Sequence, residues 1–169
     1  LFLMECSDNE KLSFELLSEE NFYIKIIDVS NDYSKFKINK LGFHVSTAAI
    51  LKFKLPELLI DIDKILYIDG DTIINKDICD IYKIDLKDKL AGVVEDIKPK
   101  YHYNPSMLVK LNIENHRGYF NSGVLLLNLK QMRAEGITKE LMSYRENGVN
   151  YFMDQDALNV VFEDRVEYL

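Results

Sequence analysis

The chain has 169 residues, 47% of them hydrophobic and 29% charged, with seven Gly, three Pro and two Cys. Its apolar content supports a sizeable core and excludes disorder, and the scarcity of Gly and Pro excludes collagen-like or linker sequence. With 21 Lys and Arg against 28 Asp and Glu the formal charge is −7, so neither a strongly basic face nor a nucleic-acid partner is expected. An acidic protein that handles a phosphate needs something to offset its own field, and a divalent cation is the usual device.

In chain order, Ser18, Glu19 and Glu20 read as part of a polar helical stretch, and 21–28 (NFYIKIID) as a strand of aromatic and β-branched residues. Lys35, Lys37 and Lys40 fall in a charged loop read as a solvated face. The run 46–59 (STAAILKFKLPELL) has helical spacing, with Ser46 or Thr47 able to cap its start and Pro56 expected to kink or end it. Residues 65–68 (ILYI) form a continuous apolar run of the kind buried on both faces of a sheet. The run empties into Asp69-Gly70-Asp71, followed by Ile73, Ile74 and an Asn/Lys/Asp turn. Two further strands are expected at 90–94 (LAGVV), ending at Glu95-Asp96, and at 119–129 (YFNSGVLLLNL). Residues 138–146 and 156–162 have helical patterns. Alternating strands and helices predict an α/β fold with a mostly parallel central sheet flanked by helices. Ligands in such sheets bind beyond the carboxyl ends of the strands, where the acidic pair lies.

Cys6 and Cys79 have no CxxC spacing and read as small buried apolar residues in a reducing compartment. No apolar run approaches the ~18 residues of a membrane span, and no signal-peptide pattern opens the chain. The chain begins in hydrophobic sequence at Leu1 and ends on RVEYL, which reads as an interrupted strand. The expectation is a fragment lacking both ends.

Three segments carry chemistry. In Asp69-Gly70-Asp71, carboxylates at i and i+2 of an extended chain project to one side, and Gly70 lets a ligand approach the backbone. Such hard oxygens suit Mn²⁺ or Mg²⁺ bridging a diphosphate, while a local Asx turn accounts for them equally well. An EF-hand loop is excluded because Ile73 stands where the next oxygen ligand belongs. A haloacid-dehalogenase-type phosphatase fits poorly, because Thr72 follows the second Asp directly and the strand is mid-chain. In Asn121-Ser122-Gly123, Asn121 offers the donor and acceptor that a sugar hydroxyl wants, and the small pair leaves room for a ring. The plainer reading is a strand with a bulge at Gly123. In Asp154-Gln155-Asp156, Asp154 reads as a helix N-cap and Asp156 as a first-turn acid, two positions that cannot share a face. Neither explains Gln155.

The succession LPELL, DKILYIDGDT, the acid after a VV strand, FNSGVLLLNL and MDQDALN closely resembles the retaining glycosyltransferases of family 8. That group contains bacterial lipopolysaccharide galactosyl- and glucosyltransferases and glycogenin. The resemblance covers roughly residues 43–162. It implies a GT-A type nucleotide-diphosphosugar fold, with 1–169 as the central part of a single such domain. It implies Asp69 and Asp71 as metal ligands for Mn²⁺ (or Mg²⁺) on the diphosphate of a UDP-hexose, UDP-glucose or UDP-galactose. It implies Asn121 and Asp154 on the donor sugar, with Ser122 and Gly123 beside them and Asp96 lining the pocket. Gln155 matches the family residue beside the anomeric carbon. Lys52 stands where the family commonly has Arg, which weakens a bidentate contact. The family's uridine strand and its C-terminal His-x-x-Gly metal ligand have no match, and His44, His102 and His116 read as loop residues.

The resulting expectation is a metal-dependent retaining hexosyltransferase acting on a glycan or glycolipid acceptor, as in lipopolysaccharide biosynthesis. Its location would be cytoplasmic, with peripheral membrane contact through a tail beyond the chain. A non-catalytic sugar-nucleotide-binding domain is the alternative from another class.

Overall fold

A computed structural model describes residues 2–3, 7–20, 22, 24–28, 47–97, 109–111, 113, 118–148 and 151–169. Cys6, Lys35, Lys37, Lys40, His44, Ser46, His102 and His116 lie outside the described residues, as does the side chain of Thr47. The chain divides into two compact units, 1–47 and 48–169.

In the first unit, β1 (Phe2–Leu3) pairs in parallel with β2 (Ile27–Asp28). Between them runs α1 (Asp8–Glu15), started by a reciprocal capping box. The Ser7 hydroxyl accepts from Glu10 N–H while Ser7 N–H donates to the Glu10 carboxylate at 2.9 Å. Both expectations here shift. The helix precedes Ser18–Glu20 instead of including it, and the strand expected over 21–28 shrinks to its last pair. The cause is local hydrogen bonding. Glu19 and Phe22 exchange backbone bonds in an isolated bridge, and Ser18 Oγ accepts from Ile24 N–H at 2.9 Å. Backbone groups spent in a tight turn are not free for a sheet ladder.

The second unit opens with α2 (Thr47–Leu58), which ends two residues past Pro56 as the proline predicts. The end of the helix and the turn after it are satisfied from outside: the Arg133 guanidinium donates to Pro56 O, Leu59 O and Ile62 O at 3.3, 3.2 and 3.0 Å. Then follow β3 (Lys64–Ile68), the short α3 (Cys79–Tyr82), β4 (Ala91–Glu95) and β5 (Phe120–Asn128). Three helices complete the layer, α4 (Leu129–Glu135), α5 (Ile137–Asn147) and α6 (Met153–Phe162), before β6 (Val166–Tyr168). Gly136, at φ 70°, makes the left-handed corner between α4 and α5. Among the described residues no helix is long and apolar enough to cross a membrane.

The sheet order is β3-β5-β4-β6. Strand β5 runs antiparallel to both its neighbours, and only β4 and β6 are parallel in this sheet, so the expected mostly parallel arrangement becomes a mixed one. Strand β3 is half-buried, not wholly buried as its apolar run suggests; among the described residues it lies at the edge of the sheet, paired with β5. The core includes Leu125, Leu126 and Leu127 of β5 together with Val93, Phe53, Leu141 and Phe162, all essentially inaccessible. Phe120 and Phe162 stack with ring centroids 6.3 Å apart, tying β5 to α6.

Cys79 is exposed, contrary to the buried reading. Asp77 Oδ1 accepts its N–H at 2.8 Å, an Asx turn that starts α3 on the surface. A hydrogen bond to the Asp77 carboxylate, together with its charge, pushes the Cys79 thiol above its ordinary pKa. Less thiolate at neutral pH means slow alkylation. Asp77→Asn should lower the thiol pKa and speed iodoacetamide labelling, followed by mass spectrometry. An unchanged rate would show that the carboxylate does not control the thiol.

Candidate active site

The site is built where β5 breaks its register with β4. Val93 pairs with Leu125, but Val94 pairs with Asn121, so Ser122–Val124 have no partner on β4. Such irregularities redirect side chains and backbone beside functional sites. The expected bulge is present, and it places Asn121, Ser122 and Gly123 next to the end of β3. Asn121 Oδ1 accepts from Gly123 N–H at 2.8 Å, and Asp69 N–H donates to Gly123 O at 2.8 Å. Space at Gly123 is tight. A Cβ there would stand 3.0 Å from Asn121 Oδ1 and 3.1 Å from Asp69 Oδ2.

Lys52 reaches this bulge from α2 and is 4% exposed. Its ammonium donates to Ser122 O at 3.0 Å and to Asp154 Oδ2 at 2.7 Å, and lies 3.4 Å from Asp69 Oδ1. It also sits 4.8 Å from the Tyr67 ring centroid. One buried cation therefore joins the three segments that the sequence singles out. A lysine is suited to this: its ammonium is a compact point charge with three donors, where a guanidinium would need planar partners. With its donors turned to protein acceptors, Lys52 organises the site more than it reaches out of it.

Asp69 is only part-buried, with 38% of its side chain exposed, and its Oδ1 also accepts the Tyr67 hydroxyl at 2.6 Å. Burial first, then that bond and the surrounding carboxylates, hold the Tyr67 hydroxyl far above the ordinary phenol range, so it serves as a donor. Asp71 is exposed. The two acids are not on continuous extended chain: β3 ends at Ile68, and Thr72 N–H donates to Asp69 O at 3.2 Å in a turn.

Helix α6 starts at Met153, earlier than the pattern suggests, which corrects the role of Asp154. Phe152 occupies the N-cap position, and Asp154 is a helical residue turned to Lys52. The capping work falls to the fully buried Asp156. Its carboxylate accepts from the N–H groups of Tyr151 and Phe152 at 2.5 and 2.6 Å and from the Tyr119 hydroxyl at 2.5 Å. Two positions apart, the acids do face different partners. Between them Gln155 is held at both ends: its Oε1 accepts from Ser122 N–H at 3.0 Å, and its Nε2 donates to Asp96 Oδ2 at 2.8 Å. Asn159, one turn on, pairs reciprocally with the backbone of Phe120 at 2.8 and 2.9 Å.

Asp69, Asp96, Asn121, Ser122, Gly123, Asp154, Gln155 and Lys52 are thus brought together, with Asp71 on the adjoining turn. Sequence reasoning missed Tyr67, although its place two residues before Asp69 on a strand put both side chains on one face. It also missed the bracing roles of Asp156 and Asn159.

The donor set bears on a cation. Among the described residues no group of three or more His, Cys, Asp or Glu could hold a metal. Mg²⁺ and Mn²⁺ do not require one, since such ions are held by one or two carboxylates together with substrate phosphates and water. Asp69 and Asp71 fit that pattern.

A family model described as glycosyl transferase family 8 matches residues 2–169. GlyF, a glycosyltransferase of Streptococcus pneumoniae, is 30% identical over 141 residues, covering 82% of this chain and 32% of its own length. The lipopolysaccharide 1,2-glucosyltransferase of Escherichia coli is 29% identical over 119 residues, covering 69% of this chain and 35% of its own length. The crystal structure of the galactosyltransferase LgtC, in complex with donor and acceptor sugar analogues, aligns with a TM-score of 0.81 at 29% identity. That alignment covers 96% of this chain and 58% of LgtC. The chain thus spans between 32% and 58% of these relatives. The fold is that of the GT-A glycosyltransferases, and the phosphatase reading is set aside by the family match. The chain belongs to glycosyl transferase family 8.

Proposed function

We propose that residues 1–169 form the central, donor-binding part of a single GT-A domain in a retaining hexosyltransferase. It takes a UDP-hexose, UDP-glucose or UDP-galactose, and delivers the sugar to a glycan or glycolipid acceptor. The observation that carries this reading is the meeting of Asp69, Ser122 and Asp154 on the buried Lys52 ammonium. Family membership supports it, as do the glucosyl- and galactosyltransferases among the relatives. The cytoplasmic placement and peripheral membrane contact belong to the same proposal.

Breaking the anomeric C–O bond puts oxocarbenium character on the sugar and negative charge on the departing diphosphate. A divalent cation held by Asp69 and Asp71, when bound, supplies Lewis-acid stabilisation of that departing charge. The chain's own residues do the rest. Asn121 and Asp154 orient sugar hydroxyls beside the bulge. Gln155 presents an amide whose oxygen is partly negative and carries no proton, suited to face a cationic carbon. Its amide is already held by Ser122 N–H and by Asp96, which favours a front-face route over a covalent glycosyl intermediate on Gln155. Asp96 acts by holding that amide.

Calorimetric titration of UDP into the full-length protein tests the reading. Binding should need Mn²⁺. Asp71→Ala should reduce it below detection without shifting the thermal midpoint, because Asp71 is exposed. Metal-independent binding, or none, would sink the proposal. Donor hydrolysis by the same preparation separates an enzyme from a non-catalytic binder.

A further inference from the structure

Among the described residues, the side-chain partners of the Asp69 carboxylate fall on one oxygen. Its Oδ1 accepts the Tyr67 hydroxyl at 2.6 Å and lies 3.4 Å from Lys52 Nζ. Its Oδ2 faces the backbone at Gly123, where a Cβ would stand 3.1 Å from it and 3.0 Å from Asn121 Oδ1, an acceptor. Among the described residues no donor reaches Oδ2. The two oxygens of an ionised carboxylate are chemically equivalent, and only hydrogen bonding distinguishes them. Here both donors converge on the same atom, and both are themselves fixed. The Tyr67 ring carries the Lys52 ammonium 4.8 Å from its centroid, and Lys52 is anchored on Ser122 and Asp154. Strand β3 thus supplies, through Tyr67, a brace for the acid that follows its last residue.

We propose that Tyr67 is a positioning residue whose hydroxyl, acting with Lys52 on Asp69 Oδ1, turns Asp69 so that Oδ2 alone is presented to a divalent cation. The inference rests on the donor-binding reading above, which supplies the cation. Partners that orient a metal ligand in this way commonly change metal affinity about 10–100-fold when removed. The bland account is that the Tyr67 ring is packing and its hydroxyl adds only stability. Tyr67→Phe separates the two, because it keeps the ring beneath Lys52 and deletes one O–H.

The test is Mn²⁺ titration of the full-length protein in the presence of UDP, followed by electron paramagnetic resonance, with urea unfolding alongside. Tyr67→Phe should bind Mn²⁺ about tenfold more weakly than wild type. It should also show an altered bound-ion spectrum, as expected when the carboxylate turns. Unchanged Mn²⁺ affinity overturns the inference, whether or not stability falls. If the wild type binds Mn²⁺ and Tyr67→Phe binds it equally well, the positioning role alone fails. If the wild type binds none, the donor-binding reading fails with it.

Discussion

Lys52→Met should cost the protein about 3 kcal/mol of unfolding free energy, at the lower end of what removing one partner of a buried ion pair costs. The substitution keeps most of the volume and the apolar stem, so the loss is electrostatic. It leaves Asp154, whose side chain is 10% exposed, as a buried carboxylate without its cation. Asp69 suffers less, because at 38% side-chain exposure it can turn to water. That asymmetry is why the lower end is expected. Ser122 O loses a donor as well, and with it one restraint on the bulge. Lys52→Arg restores the charge but must fit a planar fork among acceptors arranged for a point charge. Its midpoint should therefore fall between the other two. Urea unfolding followed by circular dichroism measures both variants. A Lys52→Met variant within about 0.5 kcal/mol of wild type, as surface substitutions usually are, would remove Lys52 from its place at the centre of the site.

The elements that can be read from the sequence are those whose stability is local or whose pattern is strong. Strands β3, β4 and β5 each appear within a residue or so of the expected bounds, because continuous apolar runs leave few alternatives. Helix α2 is legible from its spacing and its proline. Helix α4 is not, since Leu129 continues the apolar run of β5 and only the Asn128 side chain, accepting from Gln131 N–H at 3.1 Å, marks the change. Strand direction is also illegible. The mixed sheet depends on which strands become neighbours, and nothing within 90–94 or 119–129 encodes that.

The site divides in the same way. The residue types at 69–71, 121–123 and 154–156 are visible as motifs, and their order in the chain suggests one family. Their mutual geometry comes from partners far away in sequence. Lys52 and Asp154 are 102 positions apart, and Asp96 and Gln155 are 59 apart. Position 52 is singled out by the resemblance as a lysine where the family commonly has Arg, but nothing in the sequence shows that its ammonium is buried against two acids. The formal charge of −7 is likewise a poor guide to the local field. Asp69 and Asp154 already share one internal cation, so the negative charge offered to a metal ion is smaller than a count of acids suggests.

Gln155→Glu should be the more damaging of the two simplest changes at that position, and Asp96 is the reason. Gln155→Ala removes a side chain and takes away one bond from Ser122 N–H and one from Asp96 Oδ2 beside a part-buried helix turn. Gln155→Glu keeps the acceptor for Ser122 N–H but puts an oxygen where Nε2 now stands, 2.8 Å from Asp96 Oδ2. Two ionised carboxylates at that distance repel, and the pair is stable only when it shares a proton. Protonation of the folded pair is therefore favoured over that of the unfolded chain. Its contribution is fully present at acid pH and is lost as pH rises. The variant should be destabilised relative to wild type by about 1–3 kcal/mol at neutral pH, the cost of a buried polar group facing no partner, and the gap should narrow as pH falls. Adding Asp96→Asn supplies an amide donor opposite the new carboxylate and should recover most of the stability at neutral pH. On the proposed role of Gln155, transferase activity should not recover with it, since a carboxylate would stand in place of the amide. Recovery of both would mean that Gln155 serves only to hold α6 against β5, and the reacting carbon would have to find its partner elsewhere.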